Sequence, residues 1–582
     1  MPIRTLAMAI AAERTIERDR LSAALSGLLE RPWLLSVLLC TPLYLVYACN
    51  FMFLPPDTHG TGFLQYDQPY YMANARAYFS DGHFTLTYGL PFSFDPATPK
   101  VYFQPLTFAL GAVMYLTGVD PGYLYMAAGI VIAIACGRII IACYREVVTG
   151  NDVAALLGLL CFFWGGGLLA FGGTGYGLLS GQPVLETWYR FDPFSGWWFL
   201  NLGRNLVYTT EAFYHLVFLG CLICLFRKYY LGAFVLTAVM SASHPFTGIE
   251  LILVVGTAAA WQLLHDRDRA PARLLVGVIM LGALHLFYYR YFLSHVSLDH
   301  RLMEPQWHTG HDGVNQPVPL MATLLSQILV APFAITALVD HWRRDGRLGE
   351  HERILLAMWA VVFALSHHDW IIAPIQPLHF LRGYDWTALF LIGAPVLVAT
   401  IRKLAHAPRG WLAALALVFL FLFDNIGFVV GQITVPLRHG NHLGYTLTDA
   451  EWQMLKALRQ PRLSGCVVLS DVATLGEAIG SLVVTYTPRR AFYPRQGITP
   501  ESEKRNREQD AFYRHGIEPK ALRSRCVVAI VPVSVAQSVM PRIAGLGYKP
   551  FFRNDAFLLA RKNAVKESET GTGADQQRSS TR

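Results

Sequence analysis

Residues 32–54 contain no charged side chain, and comparable apolar stretches recur to residue 434. A window of about 18 or more apolar residues is the length of helix needed to cross a bilayer. In lipid every backbone N–H and C=O must be satisfied within the protein, so such windows read as helices. Only 15% of the 582 residues are charged, against roughly 25% in soluble domains. The pattern therefore predicts an α-helical polytopic membrane protein with about eleven spans, at 32–54, 121–143, 152–172, 206–226, 229–244, 246–264, 272–293, 319–340, 353–370, 385–402 and 411–434.

Charge placement sets the orientation. With 101–117 excluded as a span, every short basic loop falls on one side. Those segments hold 18 Lys and Arg, and the much longer opposite loops hold 7. The positive-inside bias then puts the N-terminus in the cytoplasm. It also leaves 101–117 as a helix lying in or dipping into the outer interface. Residues 1–31 alternate charges at helical spacing and are expected to form a cytoplasmic or interfacial segment. The run Leu6 to Ala12 is short and is followed by Glu13-Arg14, so the first span is expected to be an uncleaved anchor.

Beyond the spans, the outward stretches 55–120, 173–205, 294–318 and 371–384 are too aromatic for disordered connections. They are expected to roof a cavity over the transmembrane part, 32–440. Residues 441–563 alternate strand-like and helix-like runs and read as an α/β extracytoplasmic domain. Strand character falls on 466–470, 482–485, 526–531 and 556–560. No Gly-rich phosphate loop opens a helix there. Residues 564–582 are polar and read as a disordered tail.

Nine cysteines are present, and none has zinc-ligand spacing. Cys221 and Cys224 form a C-x-x-C inside an apolar span, where packing is the expected role. Cys466 and Cys526 each head a strand-like run. If those strands are parallel neighbours, the thiols start at one sheet edge. A disulfide and a pair of buried thiols both remain open.

Ionisable groups inside or beside spans mark functional candidates. Glu211, His215, His244 and Glu250 qualify, as do His379 and Arg382 in Pro377-Leu378-His379-Phe380-Leu381-Arg382. Interhelical pairing is the alternative for each, for instance Glu211 with a histidine. Next to them in the expected topology lies Tyr66-Asp67-Gln68-Pro69-Tyr70-Tyr71, running on to Arg76. Asp67 is the candidate catalytic base; capping the helix that follows is its other reading. Tyr70, Tyr71, Arg76, His244, His379 and Arg382 are the candidate substrate-binding residues. Arg and His at the outer leaflet suit a lipid-linked phosphate. A lone carboxylate suffices to take a proton from an acceptor hydroxyl, because phosphate is already a good leaving group. A glycosidase needs a second carboxylate to protonate its leaving oxygen.

These features together resemble the GT-C superfamily of integral-membrane glycosyltransferases. The resemblance rests on a first span, an outer loop with an acid followed by Tyr and small residues (Asp67, Tyr70, Tyr71, Ala73, Ala75, Arg76), and an interfacial helix opened by Phe103-Gln104-Pro105-Leu106. Many further spans and an α/β tail follow. It implies an inverting transfer of sugar from a polyprenyl-phosphate donor to a glycan, lipid or protein acceptor, with Asp67 as base and two interfacial jaw helices in loop 55–120. Trp197-Trp198 is superficially close to the oligosaccharyltransferase signature, but Phe199 stands where that has Asp. Gln68 replaces the paired acid of some members, so no cofactor is expected and a metal-assisted reaction is not indicated, while a divalent metal stays open. Nucleic acid is not an expected partner. A bacterial inner membrane with a periplasmic C-terminal domain is the expected setting. A flippase for lipid-linked saccharide and a non-catalytic envelope-assembly protein of the same fold are the competing readings.

Overall fold

The computed structural model describes residues 27–64, 67–95, 97–188, 190, 202–266, 269–308, 316–439, 446–475 and 478–564. The segment 1–26, Trp197-Trp198-Phe199 and the tail from 565 lie outside the described residues.

The chain enters the helical body through α1 (Pro32–Leu39) and α2 (Thr41–Met52), which join at a 42° bend. After β1 (Thr58–Gly60), α3 (Gln68–Ala77) and α4 (Pro105–Thr117) come α5 (Pro121–Val147), α6 (Val153–Trp164) and α7 (Leu169–Ser180). Then follow α8 (Thr209–Phe226), α9 (Tyr230–Ser243), α10 (Pro245–Asp266), α11 (Arg269–Leu286), α12 (Leu298–His308), α13 (Leu320–Gln327) and α14 (Ala331–Asp345). The body closes with α15 (Glu350–Ser366), α16 (Tyr384–His406) and α17 (Gly410–His439). It is a multi-pass membrane protein: among the described residues six helices are long and apolar enough to cross a bilayer, or nine when each bent pair counts as one. The expected eleven is therefore not reached. The other two, α9 and α15, have 14 and 17 residues. At about 1.5 Å per residue they fall short of a hydrocarbon core of about 30 Å.

Two bends are sharp, 68° between α6 and α7 and 67° between α13 and α14. A break in an apolar helix strands backbone donors and acceptors. At the first break two consecutive side chains of α17 satisfy them. Asp424, fully buried, accepts from Gly167 N–H at 2.9 Å, Ala170 N–H at 2.9 Å and Leu169 N–H at 3.3 Å. Asn425 donates to the carbonyls of Trp164 and Gly165 at 3.0 and 3.1 Å. One residue serves the end of α6 and its neighbour the start of α7.

The C-terminal region carries β2 (Thr446–Thr448), α18 (Asp449–Leu458), β3 (Val467–Ser470), α19 (Ala478–Tyr486), β4 (Arg490–Ala491), α20 (Ser502–His515), β5 (Val527–Pro532), α21 (Ala536–Ala544), β6 (Lys549–Arg553) and β7 (Phe557–Lys562). Five strands form a sheet in the order β4-β3-β5-β7-β6. β3 is parallel to β4 and β5, while β7 runs antiparallel to β5 and β6. Val467 pairs with Val527, and the preceding residues, Cys466 and Cys526, are joined by a disulfide with Cα atoms 4.5 Å apart. The bridge left open by the sequence is thus formed. The run 482–485 is not a strand but the second half of α19, because one face of that helix packs on α3: Thr485 Oγ1 donates to the Pro69 carbonyl at 2.8 Å.

This region sits directly on loop 55–120. β1 and β2 pair antiparallel, Thr58 opposite Thr448, so both lie on one face of the helical body. The loop also returns to its own start. A Cβ at Gly122 would come within 1.9 Å of the Thr61 carbonyl oxygen, so only glycine allows that approach. Helix α4, 13 residues long, therefore lies between two points of the same face.

Candidate active site

Pro69 at the start of α3 pre-sets its backbone for a helix. Asp67 occupies the N-cap position, yet its side chain makes no capping bond. Its carboxylate instead meets Arg495 Nη1 of the C-terminal region at 2.5 Å. Arg495 lies in the loop after Tyr493-Pro494, which Ser481 of α19 holds by donating to the Pro494 carbonyl at 3.3 Å. The residue after Asp67, Gln68, turns its amide oxygen to Leu64 N–H at 2.6 Å. A divalent cation needs converging oxygens of negative charge. Here, among the described residues, an amide committed to the backbone and a guanidinium flank the Asp67 carboxylate. Among the described residues no three His, Cys, Asp or Glu side chains converge elsewhere to hold a metal.

Tyr70 and Tyr71 form the wall beside Asp67. Tyr70 stacks on Phe92 with ring centroids 5.2 Å apart and meets Tyr71 edge-on at 5.3 Å. Burial raises both phenols above their ordinary pKa. For Tyr71 the further causes include Tyr214, Asp67 and Glu211, in falling order, so this one ring feels both the loop carboxylate and the group below.

That group centres on Arg382. Its Nε donates to Glu211 Oε2 at 2.8 Å, with side-chain exposures of 3% and 15%. Its Nη1 donates to the His379 carbonyl. The Arg382 carbonyl accepts from Asn205 Nδ2 at 3.1 Å, and His215 Nε2 lies 3.0 Å from it. Gly383, at φ 73°, makes the turn from this segment into α16. The His379 ring stacks on Phe246 at 4.9 Å and faces His244 at 5.5 Å. His244 accepts from Thr247 N–H through Nδ1 at 3.1 Å, starting α10, and lies 5.1 Å from the Tyr214 ring. Arg204 is a second guanidinium acting on Glu211. Glu250 is fully buried, and neither carboxylate oxygen has a hydrogen-bond partner among the described residues.

The structure therefore gathers Asp67, Tyr70, Tyr71, His244, His379 and Arg382, together with Glu211, around one region below the C-terminal domain. Glu211 pairs with Arg382 rather than with a histidine. Arg76 is not part of this group: at the other end of α3, its Nε donates to the Thr485 carbonyl at 2.7 Å. Two participants escape sequence reasoning. Arg495 is 428 residues from Asp67, and Asn205 is one amide in a short connecting turn; neither has a local signal.

No protein-family model and no curated protein matches the sequence. Among solved structures, the chain is similar to the crystal structure of the Archaeoglobus fulgidus oligosaccharyltransferase complex with zinc and sulfate, at 11% identity and a TM-score of 0.45, covering 86% of this chain and 68% of that one. A second structure of that enzyme, tethered to an acceptor peptide, matches at 10% identity and a TM-score of 0.38, covering 90% of this chain and 74% of the other.

Proposed function

We propose that this chain is an inverting membrane glycosyltransferase of the GT-C kind, moving a sugar from a polyprenyl-phosphate donor to a hydroxyl or amide acceptor on a glycan, lipid or protein. The observation that carries this is the setting of Asp67: its carboxylate makes no capping bond to α3, is held by Arg495, and shares with Glu211, the partner of Arg382, an influence on the Tyr71 ring.

In the proposed reaction Asp67 takes the proton of the acceptor as its oxygen or nitrogen bonds to the anomeric carbon. The bond from that carbon to the phosphate oxygen breaks, and its electron pair leaves with the polyprenyl phosphate. One displacement inverts the anomeric centre. Arg382, paired with Glu211, and the two histidines face the leaving phosphate. Arg495 orients the carboxylate. The acting face is extracytoplasmic, in a bacterial inner membrane, with the N-terminus cytoplasmic.

Reconstitution in liposomes with a panel of polyprenyl-phosphate sugars tests the reading: release of polyprenyl phosphate with acceptor glycosylation is expected. A flippase is the second reading, favoured by the broken pairs α6–α7 and α13–α14, since discontinuous helices build many transport sites. Movement of intact lipid-linked sugar across the bilayer, with no phosphate release, would favour it. Neither activity from folded protein would favour a non-catalytic assembly role.

A further inference from the structure

Arg76 lines a cavity of about 540 Å³ between α3, the start of α5 and the C-terminal region. A second guanidinium, Arg459, lines the same cavity. Each is anchored through Nε to the end of α19: Arg76 to the Thr485 carbonyl at 2.7 Å, Arg459 to the Tyr486 carbonyl at 2.9 Å. A helix C-terminus carries partial negative charge and draws cations. It holds the two arginines side by side, and neither makes an ion pair among the described residues. Burial first, then repulsion from Arg459, outweigh the attraction of Asp120 and bring the Arg76 guanidinium down to about 10.

The sequence of α18 builds the same wall through Trp452 and Arg459. Trp452, Lys456 and Arg459 stand at i, i+4 and i+7, one helical face. Lys456 and Arg459 each lie 5.2 Å from the Trp452 ring, within cation–π range. The acid of the cavity, Asp120, uses Oδ1 to cap α5 through Gly122 and Tyr123 N–H. Tyr115 and Val119 line the cavity at 45% and 36% exposure, and Leu116 beside them is 79% exposed. Since Pro121 also lines it and opens the long apolar helix α5, the cavity lies at the height where that span begins. Aromatic and basic side chains belong at such a boundary.

We propose that the Arg76–Arg459 cavity binds a phosphate group, separately from the Asp67 site, and that the headgroup of an anionic membrane phospholipid supplies it. Two guanidiniums facing a single carboxylate, Asp120, leave net positive charge in the cavity that matches the paired oxygens of a phosphodiester, and the exposed Tyr115, Leu116 and Val119 receive the adjoining acyl region.

Native mass spectrometry of the delipidated full-length protein tests this, titrating phosphatidylglycerol against phosphatidylcholine, with inorganic phosphate as competitor. Wild type is expected to retain phosphatidylglycerol in preference to phosphatidylcholine. Arg459→Gln, a change at an exposed position, should weaken retention about tenfold or more, and Arg459→Lys should keep part of it. Arg76→Gln should act alike if it folds, as checked by size-exclusion elution. Equal retention of the two lipids by wild type that inorganic phosphate does not displace, or unchanged retention in Arg459→Gln, would overturn the proposal. Full competition by millimolar inorganic phosphate, with no preference between lipids, would keep the phosphate site and overturn the lipid as its source.

Discussion

Arg495 and Asp67 are 428 residues apart in the chain, and their charged groups meet at 2.5 Å. The contact ties the C-terminal domain to the one outer-loop carboxylate that the proposed chemistry requires. It is half-exposed, with 20% and 38% of the two side chains accessible, so its contribution to stability is small, about 0–1 kcal/mol. Its value lies in orientation.

Arg495→Ala should therefore leave the melting temperature almost unchanged but reduce kcat in the reconstituted assay. Arg495→Lys keeps charge without the planar fork and should fall between. A variant with normal kcat would make the contact a docking feature only.

The pair Arg382–Glu211 behaves oppositely, because it is buried. Arg382→Ala leaves Glu211 without its counter-ion and should destabilise the detergent-solubilised protein by about 3–5 kcal/mol. Replacing both with apolar residues should cost less than the single change. Thermal unfolding in detergent reads this, and an additive double mutant would contradict the pairing.

The disulfide predicts a linked peptide containing Cys466 and Cys526 when the unreduced, alkylated protein is digested and weighed. Replacing both by serine should lower the stability of the C-terminal domain by roughly 2–4 kcal/mol. Two alkylated thiols in the native protein would contradict the bridge.

The proposed topology predicts that reporter fusions after residues 150 and 450 fall in opposite compartments, the first cytoplasmic. Both on one side would overturn the orientation.

Sequence periodicity located the helical body because lipid forces helices wherever charge is absent, and the acid loop stood out because Asp67 lies beside aromatic and basic groups at a span's edge. What the chain order hid is long-range. Arg495 meets Asp67, and Asn205 braces Arg382, only after folding. Composition also hid the breaks. An apolar run through 165–168 reads as one span until Asp424 and Asn425, some 255 residues away, are seen to satisfy its exposed backbone. Leu482–Thr485 has β-branched character but forms helix, because its tertiary contacts with α3 outweigh a weak local preference. Arg76 is legible as a cation but not as a member of a different cavity, since the length of α3 separates it from Asp67.

The most direct test of the account is the turnover of Asp67→Asn reconstituted with its polyprenyl-phosphate donor and acceptor. The amide keeps the size of the carboxylate but cannot take up the proton. The account predicts a folded protein that still binds donor and whose kcat falls by about 10²-fold or more. Turnover at the wild-type rate would contradict the role of Asp67 as base.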